Sequence, residues 1–133
     1  MIDKFIDSNI FLYAFSDKDL IKQKIAKDIV LSSATISVQV INEVSNNLLK
    51  KFKIPNNELK FFIEDFYDRY KIISLNKEIF IKAVELREKY NFSYYDSLIV
   101  ASAILGDCEI LYSEDMHHKL VIQDLVIINP FKG

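Results

Sequence analysis

Ser93-Tyr94-Tyr95-Asp96-Ser97-Leu98-Ile99-Val100-Ala101-Ser102-Ala103-Ile104-Leu105-Gly106, followed two residues later by Glu109-Ile110-Leu111-Tyr112, decides the architecture of this chain. From Leu98 to Leu105 the segment is apolar on nearly every side, so a helix there has little polar face to offer water and belongs at the centre of the molecule. Ser93 is placed to cap it and Gly106 to stop it. The apolar run that follows reads as a strand.

The same alternation extends outward in both directions. Toward the N-terminus, Lys4-Phe5-Ile6 reads as a brief buried strand running into Asp7-Ser8-Asn9, a polar cluster able to cap a short helix over Ile10–Phe15. Ser16 and Asp19, three apart, have the spacing of a capping box and open a helix to about Leu31. Thr35-Ile36-Ser37 is a second short strand. Ile41, Val44, Leu48 and Phe52 then form a helical stripe. Pro55 suits the first turn of a helix to Tyr70 with Leu59, Phe62, Ile63 and Phe66 inward. Lys71–Leu75 is a third strand, and Asn76 caps a helix over Lys77–Tyr90. Toward the C-terminus, an apolar stretch at Leu120–Ile122 precedes a last strand, Val126–Ile128. Short apolar strands separated by helices predict an α/β sandwich with a mostly parallel sheet, because parallel neighbours need crossover connections.

Composition agrees and narrows the class. The chain has 133 residues, half of them hydrophobic, which is enough for one domain over 1–133 with a real core. Two Gly and two Pro disfavour a turn-rich sandwich or barrel. Seventeen basic against 19 acidic residues leave a net charge of −2, so no basic footprint grips nucleic acid unaided. Lone Cys108 excludes an internal disulfide and reads as packing in a reducing compartment. The start, Met1-Ile2-Asp3-Lys4-Phe5, lacks the build of a signal peptide, and no apolar run reaches the ~18–20 residues of a membrane span. The expectation is a soluble, cytoplasmic protein.

In a parallel α/β sheet, ligands bind beyond the carboxyl ends of the strands. Asp7 follows the first strand there, and Glu114-Asp115 follow the fourth. Asp96 in the first turn of the central helix and Glu43 within two turns of a helix start face the same rim. Each has a plainer reading. Asp96 stands three residues after Ser93 and completes a helix cap, Asp7 and Asp115 suit turns or caps, and Glu43 suits a solvated flank. Carboxylates crowded together repel and take up protons unless a cation fills the gap. Hard oxygen donors of this kind suit Mg²⁺ or Mn²⁺, and the matching chemistry is hydrolysis of a phosphodiester. Lys50, Lys51 and Lys53 form the densest basic cluster, either a guide for a phosphate backbone or a solvated helix end. Adjacent His117 and His118 read as surface residues. Phe11, Tyr13, Phe15, Phe61, Phe62 and Phe66 exceed what one small core readily buries, which points to an aromatic interaction surface.

Four blocks in order carry a family resemblance: Phe5-Ile6-Asp7-Ser8-Asn9-Ile10-Phe11-Leu12-Tyr13-Ala14, Ile41-Asn42-Glu43-Val44, Tyr95-Asp96-Ser97-Leu98-Ile99-Val100-Ala101-Ser102-Ala103 and Leu111-Tyr112-Ser113-Glu114-Asp115-Met116, with the ending Ile127-Ile128-Asn129-Pro130-Phe131. Over nearly its whole length the sequence resembles PIN-domain ribonucleases, and among them the VapC-type toxins of toxin–antitoxin pairs. The resemblance implies a PIN-like three-layer sandwich with about five parallel strands and a metal-dependent endoribonuclease acting on RNA. It carries the metal-binding and catalytic acids onto Asp7, Glu43, Asp96 and Asp115, with supporting roles for Ser8, Asn9 and Ser113. It also implies Mg²⁺ or Mn²⁺ as cofactor, a homodimer, and a cognate antitoxin whose tail occupies the acidic groove. Relatives often carry a glycine where this chain has Lys119. An inactive PIN-like module binding RNA or a protein, and a housekeeping nuclease, are the alternatives.

Overall fold

Burial of Phe5 and Ile6, both without solvent exposure, makes β1 (Lys4–Ile6) the spine of the sheet. The structure is a computed structural model and describes residues 2–132. After β1 come α1 (Ser8–Phe15), α2 (Leu20–Val30), β2 (Thr35–Ser37), α3 (Val38–Lys50), α4 (Asn56–Arg69), β3 (Lys71–Ile73), α5 (Lys77–Tyr90), α6 (Tyr94–Leu105), β4 (Ile110–Tyr112), β5 (Val121–Ile122) and β6 (Leu125–Ile128). The sheet order is β3-β2-β1-β4-β6-β5. Pairings are parallel except for the β5–β6 hairpin. Helix α1 packs on α2 and α3, α3 on α4, and α5 on α6, giving a three-layer α/β sandwich.

The chain lays β2 and β3 to one side of β1 and then returns to place β4 on the other. The point where the strand order reverses therefore lies between β1 and β4, where open parallel sheets leave a crevice beyond their carboxyl ends. Asp7 donates its backbone N–H to the Tyr112 carbonyl at 3.0 Å, holding the two strand ends together at this point.

The central helix is α6, with Ser97 to Ala103 buried as one run. Its two serines are compatible with an apolar surround because each hydroxyl donates back within the helix, Ser97 to the Tyr94 carbonyl at 2.6 Å and Ser102 to the Leu98 carbonyl at 2.8 Å. Gly106 ends α6 at φ −86, which is not a left-handed turn. Space is what requires glycine there. A Cβ would run into Ile73 Cδ1 and lie 2.9 Å from the Ser102 carbonyl oxygen.

Several boundaries depart from the sequence reading for local reasons. Ser16 closes α1 through its backbone N–H to Leu12, and its hydroxyl accepts from Lys18 N–H, so α2 begins later with Asp19 as its cap. Pro55 stands just outside α4 instead of within its first turn. Asn76 and Ser93 cap α5 and α6 as expected, accepting from Ile79 and Asp96 N–H groups. The sheet gains a sixth strand because Val121 and Ile122 fold back onto Val126 and Leu125 through a two-residue turn. That turn carries Gln123 at φ 54 without the Asn-Gly or Asp-Gly pair that advertises such hairpins.

The aromatic surplus is smaller than composition suggests. Phe11 and Phe66 are core residues, and Phe11 packs edge-on against Phe66 and Tyr70 at 5.3 and 5.5 Å between ring centres. Phe15 does the same with Phe52 at 4.7 Å, while Phe61 is 67% exposed.

Candidate functional site

Asp7 caps α1 directly beyond β1 and is 4% exposed. Its carboxylate accepts from the Ser8 backbone N–H at 2.7 Å and from the Ser113 hydroxyl at 2.8 Å. Burial raises its pKa to about 7, against the pull of those two donors and with the charges of Glu43 and Asp96 adding to the rise. Ser113 is held at the end of β4 by its own N–H to the Ile128 carbonyl.

Glu43, in the second turn of α3, is half-buried. Ser8 Oγ donates to its Oε2 at 3.2 Å and Gln39 Nε2 to its Oε1 at 3.3 Å. Burial raises its pKa, and the charges of Asp96 and Asp115 raise it further. Asp96 sits in the first turn of α6, its N–H donated to the Ser93 hydroxyl at 3.2 Å. Burial, and then the Asp115 charge, push its carboxyl upward while Ser93 counters. Ser93 thus caps α6 by accepting the Asp96 N–H, while the Asp96 carboxylate feels the Asp115 charge at the rim. Asp115 is exposed on the loop after β4, where Asn9 Nδ2 donates to its Oδ2 at 3.0 Å.

All four acids thus meet electrostatically at one rim, although they come from widely separated segments. Ser8 links Asp7 to Glu43, and Asn9 ties Asp115 to α1. Asp96 and Asp115 share an open cleft of about 430 Å³ with Tyr90, Ser93, His117 and Lys132. Among the described residues, no three acidic, His or Cys side chains close in tightly enough to cage an ion unaided. The donor set is open and oxygen-only. This fits a hard divalent cation that keeps several waters and takes one or two carboxylates directly, and it does not fit a zinc-type cage. A buried carboxylate with a pKa near 7, beside two more with raised values, also carries charge that a cation would relieve.

The sequence did not single out Gln39 or Lys22, and several residues it did name take another part in the structure. Gln39 lies one helical turn before Glu43, a spacing that could have flagged it. Glu114 turns away from the acids. It accepts from Tyr13 OH at 2.6 Å and pairs with Lys22 Nζ at 2.5 Å. No local pattern announces contacts across 92 and 101 positions. His118 is more than a surface residue, since its Nδ1 accepts from Asn129 N–H at 2.9 Å. Lys119 has φ 69, a left-handed backbone in which glycine would be unstrained. Of the basic cluster, Lys51 lines a cleft of about 290 Å³ with Asn9 and Glu114. Cys108 is buried, as packing requires.

The sequence matches the PIN domain family over residues 4–121, and the chain belongs to that family. No curated protein matches the sequence significantly. Solved structures share the fold. A toxin–antitoxin complex from Klebsiella pneumoniae contains a chain with TM-score 0.73 and 21% identity, covering 96% of this chain and 98% of that one. VapBC2 from Rickettsia felis, bound to a fragment of promoter DNA, gives 0.68 and 19% over 95% and 97% of the two chains. VapC20 from Mycobacterium tuberculosis, a toxin that cleaves the sarcin–ricin loop, gives 0.67 and 14% over 84% and 89%.

Proposed function

We propose that this protein is a metal-dependent endoribonuclease and the toxin of a type II toxin–antitoxin pair. The observation that carries the reading is the meeting of Asp7, Glu43, Asp96 and Asp115 at the strand-order reversal, with burial and mutual repulsion raising three of their pKa values. Asp7, Asp96 and Asp115, with Glu43, would hold Mg²⁺ or Mn²⁺. Such an ion supplies charge neutralisation at a phosphodiester and a water acidic enough to attack it. Ser113 and the Ser8 N–H aim the Asp7 carboxylate, while Ser8 Oγ and Gln39 hold Glu43. Lys132, on the cleft that holds Asp96 and Asp115, would meet RNA phosphates and offset the net charge of −2, with Lys51 on a second cleft lined by Asn9 and Glu114 extending that path.

The antitoxin partner is supported by an apolar groove of about 300 Å³ among α1 to α4, lined by Phe15, Leu48, Phe62 and Phe66. A lone buried thiol fits work in a reducing cytoplasm. A homodimer completes the reading and is checked by light scattering. The decisive experiment incubates purified protein with RNA and Mn²⁺ and sequences the fragment ends. Defined cleavage that vanishes with chelator and in Asp96→Asn supports the nuclease. Cleavage that persists in Asp7→Asn/Asp96→Asn overturns it.

A further inference from the structure

Asp115 is the exposed member of the acid set, and the loop that carries it needs an anchor. Asn9 bridges two consecutive residues of that loop: its Nδ2 donates to Asp115 Oδ2 at 3.0 Å, and its Oδ1 accepts from the Glu114 backbone N–H at 3.4 Å. The Glu114 side chain points the other way, onto Tyr13 OH at 2.6 Å and Lys22 Nζ at 2.5 Å. The Lys22 ammonium also lies over the rings of Tyr13 and Phe131, at 4.7 and 5.3 Å from their centres. Asn129 Nδ2 donates to the Glu114 carbonyl at 3.4 Å, and the Tyr13 and Phe131 rings meet edge-on at 4.9 Å. Side chains of α1 and α2 and the C-terminal segment after β6 therefore converge on the residue immediately before Asp115.

We propose that Lys22 and Tyr13 are positioning residues that clamp Glu114 outward, fixing Asp115 toward the other acids and keeping a fifth carboxylate out of the cation site. The proposal rests on the metal-dependent reading above. Glu114 freed of its partners would be one residue from a cluster that already carries like-charge repulsion, and it would compete for the cation or set the loop moving. A surface ion pair alone contributes little, and Lys22 is about a third exposed at 31%. Here the pair is joined to a phenol, two ring faces and two backbone contacts, so its loss releases a connected network.

The test compares wild type with Lys22→Met, Glu114→Gln and the conservative Lys22→Arg. Arg69→Met, which removes the exposed Arg69–Asp65 pair on α4, is the control. Two readouts are taken: Mn²⁺ binding by calorimetry, and backbone amide exchange over residues 112–118 without metal. Lys22→Met and Glu114→Gln should weaken Mn²⁺ about 10-fold, the low end of losses for residues that orient metal ligands, and should speed loop exchange. The Mn²⁺ needed for half-maximal RNA cleavage should rise while kcat at saturating Mn²⁺ stays near wild type. Lys22→Arg should restore both readouts, and Arg69→Met should match wild type. Unchanged Mn²⁺ affinity or unchanged exchange in Lys22→Met overturns the clamp. A wild-type protein that takes up no Mn²⁺ overturns the nuclease reading instead, and the exchange data then decide by themselves whether Lys22 holds the loop.

Discussion

Asp7 is the residue at which burial and charge conflict. In the unfolded chain its carboxyl titrates near 3.8, whereas in the fold it keeps its proton to about 7. Between those values the folded state binds more protons than the unfolded one, so metal-free stability should fall as pH rises from about 4 to about 7 and stay low above that. At ~1.4 kcal/mol per pKa unit the full penalty is roughly 4 kcal/mol. Asp7→Asn should remove the Asp7 share of this pH dependence, leaving what the raised Glu43 and Asp96 contribute, raise stability in chelator at pH 8 by up to that amount, and abolish RNA cleavage. Urea unfolding at several pH values together with a cleavage assay checks all three outcomes. Ser113→Ala removes a donor that favours the ionised carboxylate, so it should push the Asp7 titration higher still and weaken Mn²⁺ binding by calorimetry.

At the scale of elements, the ends of helices and the turns between them carry the specification. Asn76 alone caps α5 through its side chain to Ile79, so Asn76→Ala should cost ~1 kcal/mol in urea unfolding. Gly106→Ala places a methyl against Ile73 and the Ser102 carbonyl, and should cost roughly 1–3 kcal/mol by the same measurement. Lys119 sits in a left-handed turn at φ 69 while its N–H donates to Ile127 at 2.7 Å. Lys119→Gly should therefore be neutral or stabilising by ~0.5–1 kcal/mol, since the strain relieved exceeds the entropy glycine adds to the unfolded chain. A fall of that size would show that the Lys119 side chain stabilises the fold through contacts of its own.

For the molecule as a whole, the strand order creates the site. Because β4 returns beside β1, segments more than a hundred residues apart in the chain share a hydrogen bond at Asp7–Ser113. None of the four site acids lines the apolar groove among α1 to α4, so mutation can test the proposed partner binding separately from the proposed cleavage. Phe62→Asp, in a half-buried wall of that groove, should abolish binding of the proposed antitoxin. It should leave the proposed RNA cleavage within about two-fold, read by pull-down and fragment assay, because none of the four acids lines that groove. Among the described residues no helix is long and apolar enough to cross a membrane.

Local sequence determined the elements of this protein. Apolar period, caps at Asn76 and Ser93, and the all-round apolar face of α6 are written within a few residues of where they act, so the alternation of strand and helix could be read directly. It also marked four acids as candidates, since each follows a strand or opens a helix. Only the tertiary structure decided which groups meet: Ser113 with Asp7, Ser8 with Glu43, Lys22 and Tyr13 with Glu114. Those pairings depend on the sheet order and on side-chain packing between distant segments. So too does the energetic cost of burying Asp7, because desolvation and repulsion between carboxylates exist only once the chain has closed around them.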